Sequence, residues 1–234
     1  MLIKDKIALV TGSSRGIGRQ IALGLAKHGA GVILHGRKGE NVKQTLQMIS
    51  SFRVPNYVVE GELSDEDQVK QIVRDVMSRF GGVDILYNNA AVSVPWMEDF
   101  WKHPLQSWEQ TFKVNVFALY QLCAAFIPGM VERSYGRVIN MTSGIKDQPE
   151  LAPYGASKAA VDKITEDLAV KLENTGVRIN RLDPGWLRTD LGGPNAWNAV
   201  EDVMPGALVP AFIENDGPNG QLFSAMELRD AVLE

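Results

Sequence analysis

Short apolar runs alternate along the chain with longer stretches in which apolar residues recur every third or fourth position. Ile7-Ala8-Leu9-Val10, Gly31 to Arg37, Tyr57 to Glu60, Val83 to Tyr87, Arg137 to Met141 and Val177 to Leu182 read as strands. Helices are expected between them. One carries Ile21, Leu25 and Ala26, a second runs from Asn41 to Ser51, and a third buries Val69, Ile72, Val73 and Val76. Leu105 to Glu132 and Pro153 to Glu173 form two more. Ser64-Asp65-Glu66-Asp67 reads as a helix start with Ser64 as the cap, Gly81-Gly82 as a stop, and Pro153 as a first-turn residue.

Strands alternating with helices of this length predict parallel βαβ units wound on both sides of one sheet. The fold class is therefore α/β: a single doubly wound Rossmann-type domain over residues 1–234, with helices on both faces. Its sheet has about seven strands if Gly220 to Phe223 supplies a short last one. From Leu191 to Pro218 the pattern breaks into Gly, Pro, Asn and Trp, which predicts a substrate loop or lid.

Composition narrows the partners. The chain has 234 residues, 45% hydrophobic and 22% charged, as expected for one soluble domain with a single core. A formal net charge of −4 without a basic block argues against nucleic acid. Lys4, Asp5 and Lys6 followed by four apolar residues make neither a signal peptide nor a membrane span, so a cytoplasmic protein is expected. The single cysteine, Cys123, lies in an apolar run and reads as a buried structural thiol; no metal site is expected.

Candidate chemistry begins at Thr11-Gly12-Ser13-Ser14-Arg15-Gly16-Ile17-Gly18, between the first strand and the first helix. A strand turning on glycines into a helix gathers backbone N–H groups and the positive end of the helix dipole, which suits a pyrophosphate. Where an NAD site places an acid after the second strand, this chain has Gly36 and Arg37, and Arg15 stands in the turn itself. Two guanidiniums suit a 2′-phosphate and favour NADP; Glu40 keeps NAD as the lesser alternative. Asn89, Ser143 and Asp183 fall at the carboxyl ends of strands, where ligands of such sheets sit. Tyr154 and Lys158, four apart on one helix, face the same way. The lysine is expected to lower the phenol from its ordinary ~10, making an acid/base group, with Ser143 hydrogen-bonding a substrate oxygen.

These motifs resemble the short-chain dehydrogenase/reductase family over nearly the whole chain. Thr11-Gly12-x-x-x-Gly16-x-Gly18 is similar to its cofactor turn, and Asn88-Asn89-Ala90-Ala91 to its Asn-Asn-Ala-Gly segment, with Ala91 for glycine. Asn115, Ser143, Tyr154 and Lys158 match its catalytic tetrad in order and spacing. Pro184-Gly185 with Thr189 resembles its nicotinamide carboxamide segment, and Glu62-Leu63 stands where an Asp-Val pair contacts adenine.

The resemblance implies NADPH as hydride donor to a ketone or aldehyde. Tyr154 would act as proton donor, Lys158 would bind the ribose, Ser143 would polarise the carbonyl, and Asn115 would hold a relay water. It implies cofactor contacts from Gly12, Ser14, Arg15, Gly16, Ile17, Gly18, Arg37, Glu62, Leu63, Asn89, Ala90, Tyr154, Lys158, Pro184, Gly185 and Thr189. It also implies a homodimer or homotetramer, packed through the helices bearing Asn115 and Tyr154. The small-molecule substrate is expected to be partly apolar, from Trp96, Phe100, Trp101 and Trp108 in one loop and Trp186 and Trp197 near the lid. Within the family, 3-oxoacyl-carrier-protein reduction would need a basic entrance, for which Arg133, Arg137, Lys146 and Arg188 are candidates. A non-catalytic NADPH-binding redox sensor is the alternative from another class.

Overall fold

The computed structural model of the protein describes residues 3–233. Seven strands, β1 (Ile7–Val10), β2 (Gly31–Gly36), β3 (Asn56–Glu60), β4 (Ile85–Asn88), β5 (Gly136–Met141), β6 (Val177–Asp183) and β7 (Leu222–Ser224), form one parallel sheet in the order β3-β2-β1-β4-β5-β6-β7. The winding reverses between β1 and β4. Loops leaving those two strands diverge there and open a crevice at the carboxyl edge.

Alternation along the strands feeds two apolar layers. On one face Ala8, Val10, Leu34, Tyr87 and Ile139 pack against Ile21 and Leu25 of α1 (Gly16–Lys27). On the other, Leu9, Ile33, Leu86, Val138 and Ile179 meet α3 (Glu66–Phe80), α5 (Ala118–Glu132) and α6 (Ala152–Lys171). The short α2 (Lys43–Ile49) sits beside α1, flanked by 3₁₀ turns where one longer helix was expected. Asp65, not Ser64, caps α3: its carboxylate accepts from the N–H groups of Asp67 and Gln68.

Two departures concern the site. The expected helix over Leu105–Glu132 is continuous, but between α4 (Leu105–Phe112) and α5 it widens into a π turn, Lys113–Phe117. Val114, Asn115 and Val116, three residues in succession, are buried there. By length and composition this helix could cross a membrane, yet 56% of its most apolar window is buried in the fold, which marks it as a core helix. The stretch expected as a lid divides in two. Residues 200–211 form two 3₁₀ turns whose Val203, Ala207, Leu208 and Ala211 are buried against α1 and the sheet, and Tyr87 Oη donates to Ala207 O at 2.9 Å.

β2 ends in a clamp on the glycine turn. Gly12 N–H donates to His35 Nδ1 and His35 Nε2–H to Gly61 O, each at 3.1 Å. Ser13 N–H donates to His35 O at 3.0 Å, and His35 N–H to Ser13 Oγ at 2.9 Å. Because an amide N–H can only donate, these partners require a neutral ring with its proton on Nε2. Burial lowers the His35 pKa from 6.5, against the opposing pull of Gly61 O and Glu62. Between the folded pKa and about 6.5 the unfolded chain binds more protons, so this contribution is complete above pH 6.5 and declines as pH falls below it. Denaturant unfolding from pH 7.5 to 5 is expected to show a loss of at most about 1.4 kcal/mol per pH unit from this group. His35→Asn, which cannot titrate, should flatten that dependence, and His35→Ala should cost about 1–3 kcal/mol at pH 7.5.

Candidate active site

The crevice is built around a turn that leaves no room for side chains. A Cβ on Gly18 would lie 2.4 Å from Gly12 O and 2.5 Å from Asn89 Nδ2. Gly12 and Gly16 have φ of 65° and 58°, the left-handed region that glycine occupies without strain. Thr11 Oγ1 accepts from the N–H groups of Asn89 and Ala90, and Asn89 Nδ2 donates to Thr11 O at 2.8 Å. The Asn89 amide thus fastens the turn to the exit of β4. At Arg15, where α1 begins, no side chain caps the helix and its first turn has no acid. Open N–H groups at a positive dipole end fit the phosphates of a dinucleotide.

Arg15 pairs with Asp190 at 3.0 Å, a carboxylate brought in from far along the chain. Both partners of that pair are exposed, and among the described residues Arg37, exposed just past β2, lacks such a neighbour. Glu62 accepts from Ser64 N–H at 3.3 Å, and the Leu63 side chain is buried in the core. Ser14 O receives the Arg19 guanidinium, and Ile17 packs on the α1 layer.

Across the crevice lie the strand ends of β5 and β6. The Asn115 amide is fully engaged: Oδ1 accepts from Val92 N–H at 2.9 Å, and Nδ2 donates to Val92 O at 2.9 Å and Ser157 Oγ at 3.0 Å. Ser157, a residue without a sequence signal, in turn donates to Tyr154 O at 2.7 Å and so ties the π turn to α6. Lys158 is buried; its Nζ donates to Met141 O at 2.8 Å and sits 5.6 Å from the Tyr154 ring centre. Burial lowers its pKa to about 8, with Asp162 pulling the other way.

The expected depression of the Tyr154 phenol is not what its surroundings produce. Burial raises its pKa and Asp183 raises it further, while the neighbouring Ser143 hydroxyl opposes the rise. Ser143 Oγ accepts from Ile145 N–H at 3.3 Å.

The segment after β6 is knitted rather than loose. Trp186 Nε1 donates to Gly192 O at 2.8 Å, its ring stands 5.4 Å from Trp197, and Arg188 N–H donates to Asn198 O at 2.9 Å. Gly185 has φ 76°, and Thr189 Cγ2 lies 3.5 Å from where a Cβ would stand on Gly16, so this segment meets the glycine turn. In the other aromatic loop Trp96 and Trp101 are exposed while Trp108 is half-buried. Of the residues expected to form a basic entrance, Arg133, Lys146 and Arg188 are exposed and Arg137 is not. Arg137 is buried at the opposite edge, donating to Ile213 O, Gly136 O and Gly176 O. Arg133 donates to Val83 O, and Arg188 to Ala196 O and Trp197 O. A cavity of about 730 Å³ beside Arg137 and Arg178 also lies at that opposite edge, away from Tyr154. No cluster of metal-ligating side chains occurs among the described residues.

Known proteins are similar to this chain in sequence and fold. An uncharacterised oxidoreductase of Staphylococcus saprophyticus is 33% identical over 216 residues, 90% of this chain and 91% of its own. A 3-oxoacyl-acyl-carrier-protein reductase of Staphylococcus epidermidis is 33% identical over 86% of this chain and 80% of its own. A metagenomic short-chain oxidoreductase crystallised with NADP superposes with a TM-score of 0.83 at 26% identity, covering 96% of this chain and 98% of that one. With the family model for short chain dehydrogenases matching residues 6–198, the chain belongs to the short chain dehydrogenase family.

Proposed function

We propose that this oxidoreductase interconverts a carbonyl and an alcohol with NADP, Tyr154 serving as general acid and base. The observation that carries the reading is convergence: Ser143, Tyr154 and Lys158 meet at the carboxyl edge of β5, facing an uncapped, glycine-lined helix start. NADPH, when bound, supplies the hydride. Tyr154 gives its proton to the carbonyl oxygen in reduction and takes it back in oxidation. A phenol held above its ordinary pKa stays protonated through neutral pH, which suits the acid role. Ser143 orients and polarises the same oxygen.

Lys158 is fixed by Met141 O and would hold the nicotinamide ribose. The Asn115 side chain is committed to Val92 and Ser157, so a relay water that returns a proton to Tyr154 would need an acceptor other than that amide. Gly12, Ser14, Arg15, Gly16, Ile17 and Gly18 would hold the dinucleotide's phosphates. Glu62 and the Leu63 backbone would border the adenine, Asn89 and Ala90 the ribose side, and Pro184, Gly185 and Thr189 the nicotinamide. Arg37 reads the 2′-phosphate, and its freedom from the Asp190 contact supports NADP over NAD.

Reduction of 3-oxoacyl thioesters is a second reading, favoured by the Staphylococcus epidermidis relative. Arg137 lies outside any docking surface for it. A cytoplasmic homo-oligomer completes the proposal: Phe117, Tyr120 and Val170 present exposed apolar surface suited to a second copy.

NADPH consumption over a panel of ketones, aldehydes, diketones and 3-oxoacyl thioesters tests the reading. Turnover is expected on at least one class, falling about 10²–10⁴-fold in Tyr154→Phe; tight NADPH binding without turnover would favour the redox sensor instead. Arg37→Asp should shift the NADPH-to-NADH affinity ratio about ten- to a hundred-fold toward NADH, measured by direct binding. An unchanged ratio would remove Arg37 as the phosphate reader.

A further inference from the structure

β6 ends on a carboxylate whose two oxygens have different fates. Asp183 Oδ1 accepts from Gly185 N–H at 2.9 Å and so holds the turn at Pro184. Its main chain is fixed as well, since Ala225 N–H donates to Asp183 O at 2.9 Å. Oδ2 is turned toward the strand next door: a Cβ on Gly144 would lie 2.8 Å from it. Any larger residue at 144 would crowd that oxygen, so glycine leaves it uncovered beside Ser143. Among the described residues no lysine, arginine or histidine nitrogen comes within 4.0 Å of Asp183. The charge is near enough to Tyr154 to raise the phenol pKa, with the Ser143 hydroxyl opposing. Lys158, the cation of this region, is directed at Met141 O.

We propose that Asp183 is a specificity-determining residue. It rejects substrates with an anionic group next to the reacting carbonyl and favours those with a hydrogen-bond donor there, such as a hydroxyl. This rests on the oxidoreductase reading of the same site. An unpaired carboxylate repels a second one in a partly buried crevice, where water screens charges poorly. The same oxygen accepts a hydrogen bond from a hydroxyl, and a charged acceptor makes that bond stronger than a neutral one. Carbonyl compounds with an adjacent hydroxyl are therefore its substrate class, and 2-oxo acids are excluded.

The test compares the protein with Asp183→Asn, which keeps an acceptor for Gly185 N–H and removes the charge. Four probes share a similar reacting centre: pyruvate, ethyl pyruvate, hydroxyacetone and butanone. The original protein should prefer ethyl pyruvate to pyruvate and hydroxyacetone to butanone in kcat/KM. In Asp183→Asn the pyruvate-to-ethyl-pyruvate ratio should rise by about tenfold or more. Ratios cancel any overall loss of activity in the variant. Calorimetric binding of the same two ligands to the NADP-loaded protein gives the ratio without turnover.

A third readout needs neither cofactor nor substrate. Absorbance titration of the phenol at alkaline pH, taken as the difference from Tyr154→Phe, should show Tyr154 ionising at lower pH in Asp183→Asn. Turnover with an unchanged ratio overturns the inference, even if the phenol titration moves. Absence of turnover on all four probes in the original protein tells against the oxidoreductase reading on this panel, and the binding ratio still decides for or against Asp183.

Discussion

The crevice depends on how closely β1 and β4 can approach where they leave the sheet. Thr11 Oγ1 and the Asn89 amide join the two exits, and the chain folds back until Gly18 nearly touches Gly12 O. A methyl group at either glycine would push the turn off the strand: at Gly12 it would stand 3.0 Å from Ala90, at Gly18 2.4 Å from Gly12 O. With that contact made, α1 can start only where it does, with its open N–H groups at the mouth of the crevice. The exits of β5 and β6 then deliver Ser143 and Asp183 to the other side by parallel pairing, Met141 lying opposite Leu182.

The parallel, doubly wound sheet with helices on both faces, the placing of Asn89, Ser143 and Asp183 at strand ends, and Tyr154 and Lys158 on one helix face were legible because they follow from local pattern and from the rule that parallel sheets gather function at one edge. What could not be read depends on contacts between distant residues. Asp190 pairs with Arg15 across the fold, and no spacing along the chain announces that meeting. His35 reads as an ordinary residue of a buried strand, yet both ring nitrogens are spent on the turns at Gly12 and Gly61. The irregular composition after Leu191 suggested mobility, whereas Val203, Ala207 and Leu208 are core residues in 3₁₀ turns, a conformation without the helical period that would have exposed their pattern.

The electrostatics of the site differ from those of an isolated Tyr-x-x-x-Lys pair. Two buried groups lose solvation together, and the environment drives their proton affinities in opposite directions: the lysine down to about 8, the tyrosine up from its ordinary value. Both shifts favour the neutral form, as burial must. In the protein as it stands, then, the tyrosine is set as a proton donor and the lysine as a weakly held cation. Its Met141 contact fixes the position of that ammonium without any charge on Tyr154.

The π turn at Lys113–Phe117 has a geometric consequence for the helix that contains it. One extra residue in a turn shifts the rotational phase of everything after it by roughly 100°. The apolar stripe of α4 and that of α5 are therefore two patterns laid end to end, out of phase, in a single rod. In the language of crystals the turn is a dislocation, and Asn115 sits at its core. Removing the defect would restore regular helical hydrogen bonding at that turn and would rotate that asparagine away from Val92 and Ser157 at the same stroke. Here the irregularity and the site are one feature, and the helix cannot be made ideal without losing what it holds.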